Sequence, residues 1–263
     1  MKKWTVLLLA AGVAAGLLAG CKGAQQAGGG GLFGSKKLAV GVNASLPPLS
    51  FEENGEAAGF DVEYVRELAS RMRMEARIET VDWQSKVQAL GEGEVDLVIG
   101  GLTASQGGDL LLSKPYRSGS QVIMTTDYSG ITRKEDLAGK RLGLCAGSAG
   151  EGALGSDETV SQISELMQYA DSAAALAGLR EGRVDAVLVD GDTARYLAKE
   201  ETGYLILPEE FSGEQYVIGL KSGSDKLLGQ VEAAMDEMAA DGFTETLIAK
   251  WFPDAPAESE AAK

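Results

Sequence analysis

"ALGEGEVDLVIGG" (Ala89–Gly101) and "GLREGRVDAVLVD" (Gly178–Asp190) carry one pattern twice. Each is the end of a helical stretch, a Glu-Gly stop, then Val-Asp and a short apolar run that reads as a buried strand. "AVGVNAS" (Ala39–Ser45) and "LGLCAGS" (Leu142–Ser148) form a second matched pair, a strand followed by a small polar turn. The distance between copies is too long for a solenoid repeat. It predicts two similar α/β lobes in one chain.

The surrounding sequence extends the pattern. "KLAVGV" reads as a strand. "GFDVEYVRELASRM" reads as a helix with Asp61 as N-cap and Val62, Val65, Leu68, Ala69 and Met72 on one face. "ARIETV" is strand-like, "DWQSKVQAL" is a helix that Asp82 caps, and "VDLVIGG" is a strand. This βαβαβ alternation predicts a parallel sheet with helices on its faces. After the second copy come helices over Asp225–Ala239 and Thr244–Phe252, whose natural home is the first lobe. The chain then passes between lobes twice, which makes a hinge. The expected fold class is α/β, two-lobed, with two crossings and a central cleft. Residues 37–125 and 221–253 form lobe 1, residues 126–220 form lobe 2, and 254–263 are a loose polar tail.

The chain has 263 residues, a net charge of −15, 44% hydrophobic residues and no histidine. The apolar content supports a real core. The acidic balance argues against nucleic acid and against docking on anionic lipid by charge. Without histidine there is no Ser-His or Cys-His pair, and zinc loses a common ligand. No metal or cofactor is expected. A carboxylate or lysine enzyme stays open. Two cysteines, Cys21 and Cys145, are too few for a disulfide framework.

The N-terminus is basic at Met1-Lys2-Lys3 and then apolar from Trp4 to Gly20 apart from Thr5. Leu18-Ala19-Gly20-Cys21 resembles a bacterial lipobox, with an uncleaved membrane anchor as the alternative. This implies a signal peptide over 1–20, lipidation at Cys21 and a glycine-rich tether over 21–36. The expected location is the extracytoplasmic face of the cell membrane.

Parallel sheets bind ligands beyond the carboxyl ends of their strands. Those ends are Asn43 and Gly100-Gly101 in one lobe, Cys145 and Val189-Asp190 in the other. Thr103, Ser105, Ser148 and Asp190 are the polar residues just beyond.

These segments, with "LSKPYRSGSQVIM", "LCAGSAGE", "GRVDAVLVDGDTARYL" and "ADGFTETLIAKWF", together resemble the bacterial extracellular solute-binding proteins of family 3, the polar amino acid type, from Lys37 to Phe252. The resemblance implies a type II periplasmic-binding-protein fold and a monomeric receptor that closes on a small polar solute and hands it to the membrane subunits of an ABC permease. It implies that Asp190 receives an α-ammonium, that Thr103 contacts the ligand at a strand end, and that Trp83 forms an aromatic wall. Leu46 stands where a stacking tyrosine is frequent and Asn43 where an aspartate is frequent. Ser148 and Ala149 match a turn that holds a carboxylate. In "TASQGGDLLLSKPY" the usual carboxylate-gripping arginine is absent; Gln106, Gly107 and Gly108 occupy its region. The amides of Ser148 to Gly150, or Arg117, are the candidate substitutes; the alternative is a solute without a free carboxylate, with Asp190 selecting a cationic or amine-bearing relative of an amino acid.

Each assignment has a plainer rival. Asp190 could cap the helix that begins at Gly191. Trp83 could be core, and Cys145 a core or cleft-edge residue. Asp96 and Asp185 read as structural. Gly150, Gly152 and Gly155 spell a weak G-x-G-x-x-G. Two rival functions also remain at this stage: a cyclohexadienyl or arogenate dehydratase-like enzyme using Glu151 or Asp190 as the acid, and a sensor without transport.

Overall fold

The computed structural model describes residues 36–253 except 156 and 201. Cys21, the signal peptide and the 254–263 tail lie outside the described residues, as does all of the tether but Lys36, which already belongs to the first strand.

The first half runs β1 (Lys36–Val42), β2 (Ser45–Leu46), β3 (Ser50–Glu53), β4 (Glu56–Ala58), α1 (Phe60–Arg71), β5 (Met74–Thr80), α2 (Lys86–Glu92), β6 (Leu97–Ile99), β7 (Leu111–Leu112) and β8 (Arg117–Thr126). The second runs β9 (Arg141–Cys145), α3 (Ala149–Gly155), β10 (Glu165–Tyr169), α4 (Ser172–Arg180), β11 (Ala186–Asp190), α5 (Gly191–Glu200), β12 (Tyr204–Tyr216), β13 (Gly219–Leu220), α6 (Asp225–Ala240) and α7 (Phe243–Trp251). They build two five-stranded sheets, ordered β5-β1-β6-β13-β7 and β10-β9-β11-β8-β12, and a small β2-β3-β4 sheet. The α/β two-lobed fold is as the repeat predicts.

The repeat has a physical basis. Asp96 donates its N–H to the Ala39 carbonyl and accepts from the Ala39 N–H through Oδ2, both at 2.8 Å. Asp185 does the same with Arg141, at 2.9 and 2.8 Å, and its carboxylate also takes the Arg141 guanidinium. Each aspartate therefore sets the register of the central strand against the first strand of its lobe. The glycine of each Glu-Gly stop, Gly93 and Gly182, has a left-handed backbone, with φ of 76° and 69°.

Two boundaries differ from expectation. The strand β8 pairs with β11 and β12, so the first crossing precedes Arg117 and does not fall at Thr125. The strand β13 pairs with β6 and β7, so Gly219 and Leu220 belong to the first sheet. The crossings lie side by side. Ser113 N–H donates to the Ile218 carbonyl at 3.0 Å, and Tyr116 N–H to the Tyr216 carbonyl at 2.9 Å.

Helix α1 buries Val62, Val65, Leu68 and Ala69 against β1 and β6, and Val231, Met235, Met238 and Leu247 bring α6 and α7 onto the same core. The closing helices thus complete the first lobe. The N-cap of α1 is Gly59, not Asp61. Asp61 is two positions further in and fully buried, with no hydrogen bond to either carboxylate oxygen. Asp82 does cap: its Oδ1 accepts from the Gln84 N–H at 3.1 Å, at the turn that leads into α2.

Candidate functional site

A cavity lies where the carboxyl ends of both sheets meet. The first lobe lines it with Asn43, Leu46, Trp83, Gly100 and Gly101, and the second with Ser148, Ala149 and Asp190. Its volume is about 20 Å³, room for about one water, so the lobes must part to admit a solute. Close approach explains the two glycines. A Cβ on Gly100, at φ 139°, would stand 2.7 Å from the Asn43 Cβ; one on Gly101, at φ 72°, would stand 2.8 Å from Leu46 Cδ2.

Asp190 is 4% exposed. Its Oδ1 accepts from the N–H groups of Asp192 and Thr193, both at 2.9 Å, and its Oδ2 accepts from the Tyr216 hydroxyl. The capping alternative and the cavity-lining one therefore hold together: Asp190 starts α5 and faces the cleft. Burial pushes its pKa above the ordinary aspartate value, the nearby Asp192 adds to this, and the Tyr216 hydroxyl opposes it. A cation in the cavity would favour its ionised form.

Trp83, 5% exposed, is both core and wall, since it packs with Leu90, Val98 and Leu102 while lining the cavity. Asn43 turns its Oδ1 onto the Ser45 N–H and hydroxyl. Cys145 lines the cavity, and burial, then Asp171, pushes its thiol up to about 11, which leaves it protonated and unreactive.

Thr103 and Gln106 are not among the lining residues. The Thr103 hydroxyl meets that of Ser105 at 2.9 Å, and Gln106 Oε1 accepts from the Thr103 N–H at 3.1 Å. Gln106 Nε2 then donates across the cleft to the Gly147 carbonyl at 2.8 Å, so it ties lobe to lobe. Arg117 does not substitute for the absent arginine. It is buried away from the cavity, paired with Asp192 at 2.6 Å and stacked 3.4 Å from the Phe252 ring centre. Glu151 is also committed: its two oxygens accept from the Gly147 N–H and from Gln168 Nε2. The G-x-G-x-x-G glycines lie within α3, not in a phosphate-cradling loop.

The cavity also takes Gln121, Ser172 and Tyr216, which the sequence reading missed. Gln121 stands opposite Asp190 in the β8–β11 ladder. Ser172 had a signal: the Asp171 before it caps α4, accepting from the Ala174 N–H at 2.7 Å. Tyr216 had none, because it ends a strand outside the repeat.

Comparison with known proteins agrees with the two-lobed fold. The sequence profile of the bacterial extracellular solute-binding proteins, family 3, matches residues 38–254. The chain is 33% identical over 221 residues to the L-cystine-binding protein TcyJ of Escherichia coli (strain K12), covering 82% of each chain. It is 29% identical over 266 residues to the arginine-binding extracellular protein ArtP of Bacillus subtilis (strain 168), covering 96% of this chain and 98% of the relative. Among solved structures, an ancestral arginine-binding protein bound to arginine superposes with a TM-score of 0.76 at 31% identity, over 82% of this chain and 98% of that one. These relatives are binding proteins, not enzymes. The chain belongs to the bacterial extracellular solute-binding proteins, family 3.

Proposed function

We propose that this family 3 solute-binding protein captures an amino acid between its lobes and delivers it to an ABC importer. The observation that carries the reading is Asp190, a buried carboxylate on one lobe that faces the bare backbone of Gly100 and Gly101 on the other. A buried carboxylate suits an ammonium group, and glycine backbone lets a ligand come close to amide and carbonyl groups. Asn43, Ser148 and Gln121 add polar contacts from both sides.

The mechanism is closure. A ligand that touches both lobes gains its full contacts only when they meet, so binding shifts the population toward the closed form. The Gln106–Gly147 hydrogen bond adds to the closed form alone. The permease then reads closure. Cys21, in its lipobox-like setting, carries a lipid that keeps the receptor at the outer face of the membrane. Mass spectrometry of the mature protein checks the anchor: a diacylglyceryl group on an N-terminal Cys21 supports it, and an unmodified Cys21 refutes it.

The reading is tested by titration calorimetry of the full-length chain against the common L-amino acids. Saturable binding of at least one is the expected result. No heat and no competition across the panel would defeat it.

A further inference from the structure

Lys86, the first residue of α2, is only 6% exposed. Its Nζ donates to the Trp83 carbonyl at 3.0 Å and lies 5.0 Å from the centre of the Trp83 ring. An ammonium group has three donors, and among the described residues Lys86 forms no ion pair. A buried charge without a counter-ion is costly. Burial accordingly lowers its pKa, while Cys145 and Asp82 act in the other direction. Trp83 and Cys145 both line the cavity, so this cation stands just behind one end of it.

The topology shows which end. In the first sheet β5, which leads to Trp83, is the edge strand, and β13 lies on the far side of β1 and β6. In the second sheet Cys145 ends β9, on one flank of β11, while Asp190 turns its outer oxygen to Tyr216 of β12, on the other flank. The Cβ of a residue at Gly147 would lie 3.8 Å from Gln84, so the β5 side of one lobe faces the β9 side of the other. The cleft therefore has a polar axis. Its anionic end is Asp190, and at the other end Lys86 stands behind the Trp83–Cys145 corner without itself lining the cavity.

We infer that Lys86 is a specificity-determining residue, and that the ligand is an amino acid whose side chain ends in an acidic group directed to that corner. The inference rests on the amino-acid reading above. The ammonium sits at Asp190, and the distal carboxylate supplies the counter-ion that Lys86 lacks.

The test is calorimetry of the full-length chain with L-glutamate, L-glutamine and L-arginine, in the wild type, Lys86→Met and Lys86→Arg. L-glutamate, the acidic probe, should bind the wild type most tightly. Lys86→Met should weaken that probe about ten- to hundredfold, as expected for loss of a charge-assisted contact. It should change L-glutamine by less than about threefold, within the range of one neutral contact. Lys86→Arg should keep the wild-type order. Tightest binding of L-glutamine or L-arginine overturns the inference while leaving the amino-acid reading in place, and so does equal weakening of every probe by Lys86→Met. Binding of none of them, nor of any other amino acid, overturns both. If Lys86→Met fails to fold, the wild-type order and Lys86→Arg decide.

Discussion

The two lobes share a tie and differ at their tips. Asp96 and Asp185 grip the neighbouring strand through the same pair of backbone hydrogen bonds. Four and five residues later the copies part: Gly100-Gly101 in one lobe stands where Val189-Asp190 stands in the other. The scaffold is duplicated and the chemistry is divided. One lobe offers open backbone and an aromatic wall, and the other offers a charge.

The largest test of that division concerns Asp61, the first lobe's own buried carboxylate. Burial raises it to about 7 from 3.8; Asp190 adds to the rise, while Tyr116 and Arg117 oppose it. The folded protein then holds a proton that the unfolded chain has released. Stability from this group is complete below about pH 4, falls as pH rises, and levels off above about pH 7. Asp61→Asn removes the fall. At pH 8 it should stabilise the protein by up to about 4 kcal/mol relative to wild type, with no gain at pH 4, in urea unfolding. An equal difference at both pH values would show that Asp61 is ionised throughout.

Next is Asp190→Asn, which keeps a good helix cap but removes the charge. Amino-acid affinity should drop by about 1.5–3 kcal/mol while thermal stability stays close to wild type. Unchanged affinity would deny that the second lobe supplies the charge. Asp190→Ala is a poorer probe, since it also uncaps α5 and strands the Tyr216 hydroxyl.

Gly100→Ala sharpens the comparison from the other lobe. It should cost about 1–3 kcal/mol of folding stability, because its backbone conformation is strained for any side chain and the new Cβ meets Asn43. Unchanged stability of Gly100→Ala would deny the tight approach in the first lobe. The smallest effect tests the shared tie. Asp96→Ala should cost about 1 kcal/mol in chemical denaturation, the worth of one hydrogen bond, and Asp185→Ala should cost more, because its carboxylate also takes the Arg141 guanidinium. If only one of them matters, the tie is not shared.

Much of this was legible in the sequence, since the repeat fixes which strand ends face the cleft. The crossings were harder to place. "SQVIM" is apolar enough for either sheet, and only pairing with β11 and β12 assigns it. Asp61 reads as a cap because aspartate at a helix start usually is one; the Pro48 and Leu49 carbonyls that take the Phe60 and Asp61 N–H groups are invisible beforehand. Gln121 and Tyr216 reach the cavity from antiparallel strands outside the repeat. Lys86 escapes notice because a lysine at a helix start normally faces solvent.

The laced pair of connecting segments acts as an axle. Because Ser113 and Tyr116 are bonded directly to Ile218 and Tyr216, sliding one half past the other would break these bonds, whereas rotation about them leaves them whole. Travel is therefore greatest at the rim farthest from that axle, and a membrane partner that senses the rim reads a large displacement from a small turn.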